Sequence, residues 1–269
     1  KRIIAAAVSM AMTCLMMPAD TISENIAFAE TEIWDGTTDV SWYDEEETEF
    51  HISTAEELAG LSKLVNAGHT MEGKTIYLDN DIYLNDVSNY NNWETDAPDN
   101  QWTPIGTSLN FCFDGVFEGQ GRTITGAYAS FSDNNINMGS ISFFRTTGTN
   151  AVIKDLNFDY AYIDGSYYYS FSASRQAWGA AGICTDNRGS ITDCSFNGVI
   201  KWINSYAGSL HADDPSYCAA ICAWNDGGTI SGCTADGSIT VDIDNSEICV
   251  GGICGVNAVS YTHLTLPTI

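Results

Sequence analysis

Between Gly179 and Asn257 the chain repeats one pattern nearly three times, and that periodicity limits its fold more than any other feature. Ala181-Gly182-Ile183-Cys184-Thr185-Asp186-Asn187 returns as Ala219-Ala220-Ile221-Cys222-Ala223-Trp224-Asn225 and again as Gly251-Gly252-Ile253-Cys254-Gly255-Val256-Asn257. Gly189-Ser190-Ile191-Thr192-Asp193-Cys194 matches Gly228-Thr229-Ile230-Ser231-Gly232-Cys233, and Asn197-Gly198-Val199-Ile200 matches Asp236-Gly237-Ser238-Ile239. The steps from Cys184 to Cys222 to Cys254 are 38 and 32 residues. Self-similarity at this period means stacked units rather than a closed globule. Each unit alternates a short apolar run with Gly, Asn, Asp or Thr, which are turn formers. No helical spacing of apolar residues occurs inside it. The pattern predicts a parallel coil of strands, about three per turn, with turns stacked at roughly 4.8 Å. One turn cannot bury its own apolar face, so the turns need one another.

Ten basic residues stand against 35 acidic ones, for a formal charge of −25. Such a surface repels nucleic acid and anionic lipid, and neither is expected as a partner. The N-terminus reads as an export signal. Lys1-Arg2 is its positive region, Ile3 to Met17 its apolar run, and Ala27-Phe28-Ala29 an A-x-A cleavage site, giving residues 1–29 as signal peptide and a mature start at Glu30. The apolar run is too short for a membrane span, so no membrane insertion is expected.

Eight cysteines remain after cleavage. An even count in an exported chain invites disulfides. The repeat offers a rival reading, because Cys184, Cys222 and Cys254 share one repeat position and Cys194 and Cys233 another. In-register cysteines would stack between turns as small buried side chains, at a spacing a disulfide also tolerates. Both readings stay open, and Cys218 with Cys249 is the pair outside the register most worth testing. No CxxC pair occurs and the four His are scattered, so zinc is not expected. Asp79-Asn80-Asp81 is a D-x-D turn without the further oxygen ligands of a calcium loop. No metal and no cofactor are therefore expected.

Before the repeats, residues 30–72 form an acidic lead-in and a helix. Asp44-Glu45-Glu46-Glu47 reads as a solvated charge run. Ser53-Thr54-Ala55-Glu56 is a capping box, Leu58, Leu61, Leu64 and Val65 share one face, and Gly68 ends the helix. This helix is expected to cover the open N-terminal end of the coil. Residues 73–259 then form the coil. Asn85 to Gln101 reads as a loop excursion. Gly115, Gly119 and Gly121 let the chain turn sharply twice; a phosphate loop is excluded there, because no strand–loop–helix context or Walker lysine follows. Leu156 extends the Cys194 and Cys233 position backwards, so Ser142 to Leu156 reads as an earlier, degenerate turn. Residues 260–269 have neither repeat register nor turn chemistry, and they read as a non-native tail of the kind a sequencing adapter encodes. More turns are expected in the natural protein.

These residues resemble exported bacterial proteins carrying GLUG-type repeats, common in gut Firmicutes. The resemblance runs from about Trp34 to Asn257. It is carried by Phe50 to Leu61, Lys74-Thr75-Ile76-Tyr77-Leu78, Trp102-Thr103-Pro104-Ile105-Gly106, Phe113-Asp114-Gly115-Val116-Phe117-Glu118-Gly119 and the Gly-Gly-Ile-Cys-Gly-x-Asn repeats. It implies an all-β, right-handed parallel β-helix with a short N-terminal capping α-helix, on a secreted or cell-surface protein. Similar repeats flank the peptidase domain of IgA-protease-type metallopeptidases. Thr185 and Ala223 depart from the glycine common at that position. The family supplies no catalytic residue.

The function expected is non-enzymatic: a surface module binding host or microbial glycans, or surface proteins. Tyr167, Tyr168, Tyr169 and Trp178, in a loop between turns, are the candidate contacts, because exposed aromatic rings stack on sugars as readily as they pack on a flank. The alternatives are a β-helix carbohydrate-active enzyme, a polysaccharide lyase or glycosidase, and an accessory region of a larger surface peptidase. Glycoside hydrolysis needs two facing carboxylates, and Asp213 and Asp214 beside His211 are the only such cluster. No HExxH motif is present.

Overall fold

The triplets Thr75-Ile76-Tyr77, Ser190-Ile191-Thr192 and Thr229-Ile230-Ser231 each place one apolar residue between two outward ones, the period-two pattern of a strand with one buried face. In the computed structural model these triplets lie on strands of one parallel sheet, their isoleucines on a single register line that passes through Phe117 and Ile153. The structure describes residues 32–130, 140–165, 178–204, 215–243 and 247–258, with the backbone alone at Trp178, Asn204 and Ile243.

The chain coils through four parallel sheets. The first contains Glu49–Ile52, Thr75–Leu78, Val116–Glu118, Val152–Lys154, Ser190–Thr192 and Thr229–Ser231. The second contains Ile82–Tyr83, Thr123–Thr125, Asn157–Asp164, Ser195–Asn204 and Thr234–Ile243, with Tyr128–Ser130 also paired to Asn157–Asp164. The third contains Ser140–Ile141, Trp178–Ala181, Ser216–Ala219 and Ile248–Gly251; the fourth contains Phe144–Thr146, Cys184–Asn187, Cys222–Asp226 and Cys254–Ala258. The protein is thus a mostly-strand parallel β-solenoid with one short N-terminal helix.

A complete turn has four strands, not the three expected. Gly182-Ile183 and Ala220-Ile221 form bends that break what reads as one apolar run into a strand on the third sheet and a strand on the fourth. Ile183 and Ile221 remain fully buried at these bends, so the corner adds to the core. The degenerate early turn is real: Val152, Ile153 and Lys154 pair in register with Ser190, Ile191 and Thr192.

Inward ladders form the core. Phe50, Ile76, Phe117, Ile153, Ile191 and Ile230 follow one another across the first sheet. Ile82, Ile124, Phe158, Phe196 and Ala235 do the same across the second. Each fully buried Ile or Phe contributes about 1.5–3 kcal/mol. Between these two sheets the chain bends through left-handed backbone at Gln120 and Gly121, then at Asp155, Asp193 and Gly232 in successive turns. Gly115 and Gly119 serve a different purpose from the turning expected of them. A Cβ there would lie 2.5 Å from Met71 O and 2.4 Å from Asp155 O respectively, so both are sites of close backbone approach.

Helix α1 (Ala55–Asn66) lies between the first two strands of the first sheet. Its capping box is one residue later than the sequence suggests. Thr54 takes extended backbone and accepts from Glu57 N, while the Glu57 carboxylate accepts from Ser53 N and Thr54 N. Gly68 follows the C-cap with φ of 108°, and Gly68 N and His69 N donate to Val65 O and Leu64 O, a Schellman ending. Leu58, Leu61 and Val65 enter the main core, and Ser62 and Asn66 donate to backbone carbonyls of Thr103 and Pro104. The acidic lead-in is less solvated than its charge suggests. Trp34 and Phe50 are buried, and Trp42 Nε1 donates to Glu57 O, while Asp44 to Glu47 stay exposed.

Candidate functional site

The excursion from Asn85 to Gln101 brings aromatic residues onto the outer face of the second sheet. Asn85 Nδ2 donates to Asn100 O and Gly126 O, which pins both ends of the loop to the coil. Between these ends, Val87–Asn92 forms a 3₁₀ helix that leads to Trp93. Trp93 packs edge-on against Tyr128 and Tyr162, giving a small apolar cluster outside the main core. Tyr90 OH donates to Ala161 O at 2.8 Å. Burial pushes the Tyr90 phenol up to about 12, so it stays a neutral donor.

Beside this cluster stands Tyr160. Strand Asn157–Asp164 carries one more residue than its neighbour here: Phe158 pairs with Phe196 and Ala161 with Gly198, so Asp159 and Tyr160 oppose Asn197 alone. This is a β-bulge, a device that re-aims a side chain. Tyr160 takes φ of 50°, a left-handed conformation costly for an aromatic residue, and is 43 % exposed. Its ring meets Tyr90 edge-on at 5.3 Å.

A polar row crosses the turns next to that ring. Tyr83, Thr125, Asp159, Asn197 and Asp236 follow in register or in hydrogen-bonded opposition. Asn197 Nδ2 donates to Asp159 Oδ1 at 2.7 Å, and Tyr160 N donates to the same oxygen. A second row, Thr123, Asn157, Ser195 and Thr234, runs parallel to it, with Ser195 Oγ donating to Asn157 Oδ1. The outcome is a flat face of hydroxyls, amides and carboxylates at rung spacing, with one exposed phenol ring at its side. Such a face suits a polyhydroxylated ligand: the ring takes C–H surface, and the carboxylates and amides take hydroxyls. Exposed Asp81, Asp155 and Asp193 nearby make it unsuited to anions.

Three other places gather polar side chains. A cleft of about 450 Å³ lies beside α1, lined by Trp34, Lys63, Asn66, Gln101, Trp102 and Thr103. Its amides hold the seam together, Asn66 bonding Pro104 O and Gly106 N and Gln101 bonding Ser130 O. On the fourth sheet, Arg188 Nη2 lies 3.5 Å from Asp186 and 3.0 Å from Asp226. Burial raises the Asp186 carboxyl to about 6, against the pull of Arg188 and Arg145. Asp79 and Asp81 of the D-x-D turn bond protein groups: His51 and Gln120 on Asp79, Thr123 N on Asp81. The His51 hydrogen bond leads in holding Asp79 below the usual carboxylate range.

Of the contacts expected from sequence, Tyr167, Tyr168 and Tyr169 lie outside the described residues, as do His211, Asp213 and Asp214. Trp178 opens a third-sheet strand paired with Ser216; its side chain is not described. The segments 131–139, 166–177, 205–214 and 244–246 all connect the second sheet to the third. Cys218 pairs with Val250 and Tyr217 with Cys249. Cys218 and Cys249 are thus one position apart on neighbouring strands and project to opposite faces. Sequence reading missed Tyr160, Asp159, Asn197 and Asp236. The signal was present: Phe158-Asp159-Tyr160-Ala161 is one residue longer than Phe196-Asn197-Gly198. Comparison with protein-family models, curated proteins and solved structures finds no match to this chain.

Proposed function

We propose that this chain is a non-enzymatic extracellular or cell-surface repeat module that binds glycans on the outer face of its second sheet. The observation that carries the reading is Tyr160, held half-exposed in left-handed backbone beside the hydrogen-bonded Asp159–Asn197 pair. A residue under backbone strain needs a reason, and ligand contact supplies one. The resemblance to GLUG-type repeat proteins and the export signal agree with a surface location. The acidic surroundings favour neutral or amine-bearing sugars over uronates or sulfated polymers.

A glycan array probed with the whole chain tests this. Binding to neutral or amino-sugar glycans, lost in Tyr160→Ala and weakened in Asp159→Asn, is the expected result. No glycan bound, or equal binding by the variants, would remove the reading and leave a protein partner as the surface's ligand. A carbohydrate-active enzyme on the same fold is the second reading. It draws on Asp186, whose carboxyl is raised to about 6 beside Asp226, the state a general acid needs. Polysaccharide cleavage that disappears in Asp186→Asn would establish it instead.

A further inference from the structure

Eight cysteines lie among the described residues, all as free thiols. Two pairs of them share one arrangement. Cys194 and Cys233 occupy the same corner of successive turns, where Thr234 N donates to Cys194 O as Ser195 N does to Leu156 O one turn earlier. Cys222 and Cys254 are directly paired on neighbouring strands of the fourth sheet. In both pairs the more exposed member's thiol donates to a carbonyl two residues away in sequence, Cys233 Sγ to Ser231 O and Cys254 Sγ to Val256 O, and each thiol's titration responds to its partner on the next turn. In both, one member is sealed in the core and the other reaches the surface: Cys194 and Cys222 are buried, while Cys233 and Cys254 are half-buried. Adjacent parallel strands sit roughly 4.8 Å apart, inside the Cα range a disulfide spans.

We propose that each pair is a two-electron dithiol modification site that closes to a disulfide between successive turns, with Cys233 and Cys254 attacking and Cys194 and Cys222 resolving. The oxidant is a small-molecule disulfide such as oxidised glutathione. The Cys233 thiolate attacks one sulfur of that disulfide; the S–S bond breaks, and one thiolate leaves with the electron pair. Cys194 then gives up its proton and attacks the Cys233 sulfur, and the second small thiolate leaves. Two protein thiols are oxidised, one small disulfide is reduced to two thiols, and the two protons released by the protein are taken up by those thiols. Cys254 and Cys222 follow the same course.

The division of labour follows from surroundings. The neighbouring Cys194 thiol holds the Cys233 thiol below its ordinary value, and Cys222 does the same for Cys254. The buried partners are pushed well up: Cys194 by the neighbouring Cys233 and by burial, Cys222 by burial first. A thiol near ambient pH is the better attacking group, and access decides which sulfur a reagent reaches. Cys184 also pairs with Cys222 in register. Cys184 and Cys222 are both fully buried, so Cys254 is the one member of this stack that a reagent in solution reaches, which makes it the partner of Cys222. The inference is independent of the glycan reading.

The test is oxidation of the reduced whole chain by oxidised glutathione near neutral pH, followed by peptide mapping by mass spectrometry. Cys194–Cys233 and Cys222–Cys254 links are expected, each with loss of two hydrogens. Cys194→Ala should trap a glutathione mixed disulfide on Cys233, whereas Cys233→Ala should leave Cys194 unmodified. Links to other cysteines, an absence of links in wild type, or equal glutathionylation of the two variants would overturn the proposal. The wild-type map decides even if a variant fails to fold.

Discussion

Asn187 Nδ2 donates to Asn225 Oδ1 at 2.7 Å inside the coil, and Asn225 Nδ2 donates onward to Asn257 Oδ1 at the same distance. Thr147 Oγ1 starts the ladder by donating to Asn187 Oδ1. The same amides bond the turns that follow them, Asn187 to Gly189 O and Asn225 to Gly228 O. The asparagine that ends each repeat therefore both stacks the turns and closes the next corner.

Asn225 is buried in the middle of the ladder, and Asn257 is exposed at its end. Asn225→Ala removes bonds on both sides and leaves buried amide and carbonyl groups unpaired, at a cost of about 2–3 kcal/mol. Asn257→Ala should cost about 1 kcal/mol or less, since water replaces the lost partner. Urea unfolding of both variants checks this; equal losses would show that the ladder is not cooperative along the stack.

Gly182 and Gly252 hold the same repeat position but not the same surroundings. A Cβ on Gly182 would sit 2.3 Å from Ala220 O and from the Phe196 ring, while one on Gly252 meets nothing within 4 Å. Gly182→Ala should destabilise by about 1–3 kcal/mol through overpacking. Gly252→Ala should stay within about 0.5 kcal/mol of wild type. A comparison of thermal melting curves separates the two, and a tolerated Gly182→Ala would contradict the packing described.

The stacked architecture was legible because register repeats: Ile153, Ile191 and Ile230 had to face inward together once their triplets were aligned. The helix was legible from its cap and apolar face, displaced by one residue because Ser53 and Thr54 are equally good capping residues and only backbone geometry chooses between them. Four strands per turn were not legible, because Gly182-Ile183 looks the same whether the chain runs straight or bends. The face proposed to bind glycans was hidden for another reason. Thr125, Asp159, Asn197 and Asp236 are far apart in sequence and become one row only when the turns stack, and Tyr160 gains its exposure from a bulge a single residue long.

Tyr160→Gly and Tyr160→Ala both remove the ring but differ in backbone strain. At φ of 50° glycine is unstrained and alanine is not, so the glycine variant should be the more stable by about 1 kcal/mol. Both should lose glycan binding. Denaturant midpoints and array signal measured on the same preparations test the pair. A glycine variant less stable than alanine would mean that Tyr160 does not hold left-handed backbone in solution.

Asp186 links the fourth sheet to pH. Its carboxyl is raised from 3.8 to about 6 by burial, so between those values the folded chain holds a proton that the unfolded chain has released. Stability from this residue is therefore greatest below about pH 4 and falls as pH rises through 6, the reverse of an ion-paired carboxylate. The loss across that window is of order 3 kcal/mol. Asp186→Asn keeps the shape and removes the titration, so the difference in unfolding free energy between variant and wild type should shift in the variant's favour from pH 4 to pH 7. Asp226 still pairs with Arg188 at 3.0 Å in that variant, which keeps the guanidinium compensated. Urea titrations at each pH give the difference directly; a flat or opposite trend would mean that Arg188 dominates over burial at Asp186.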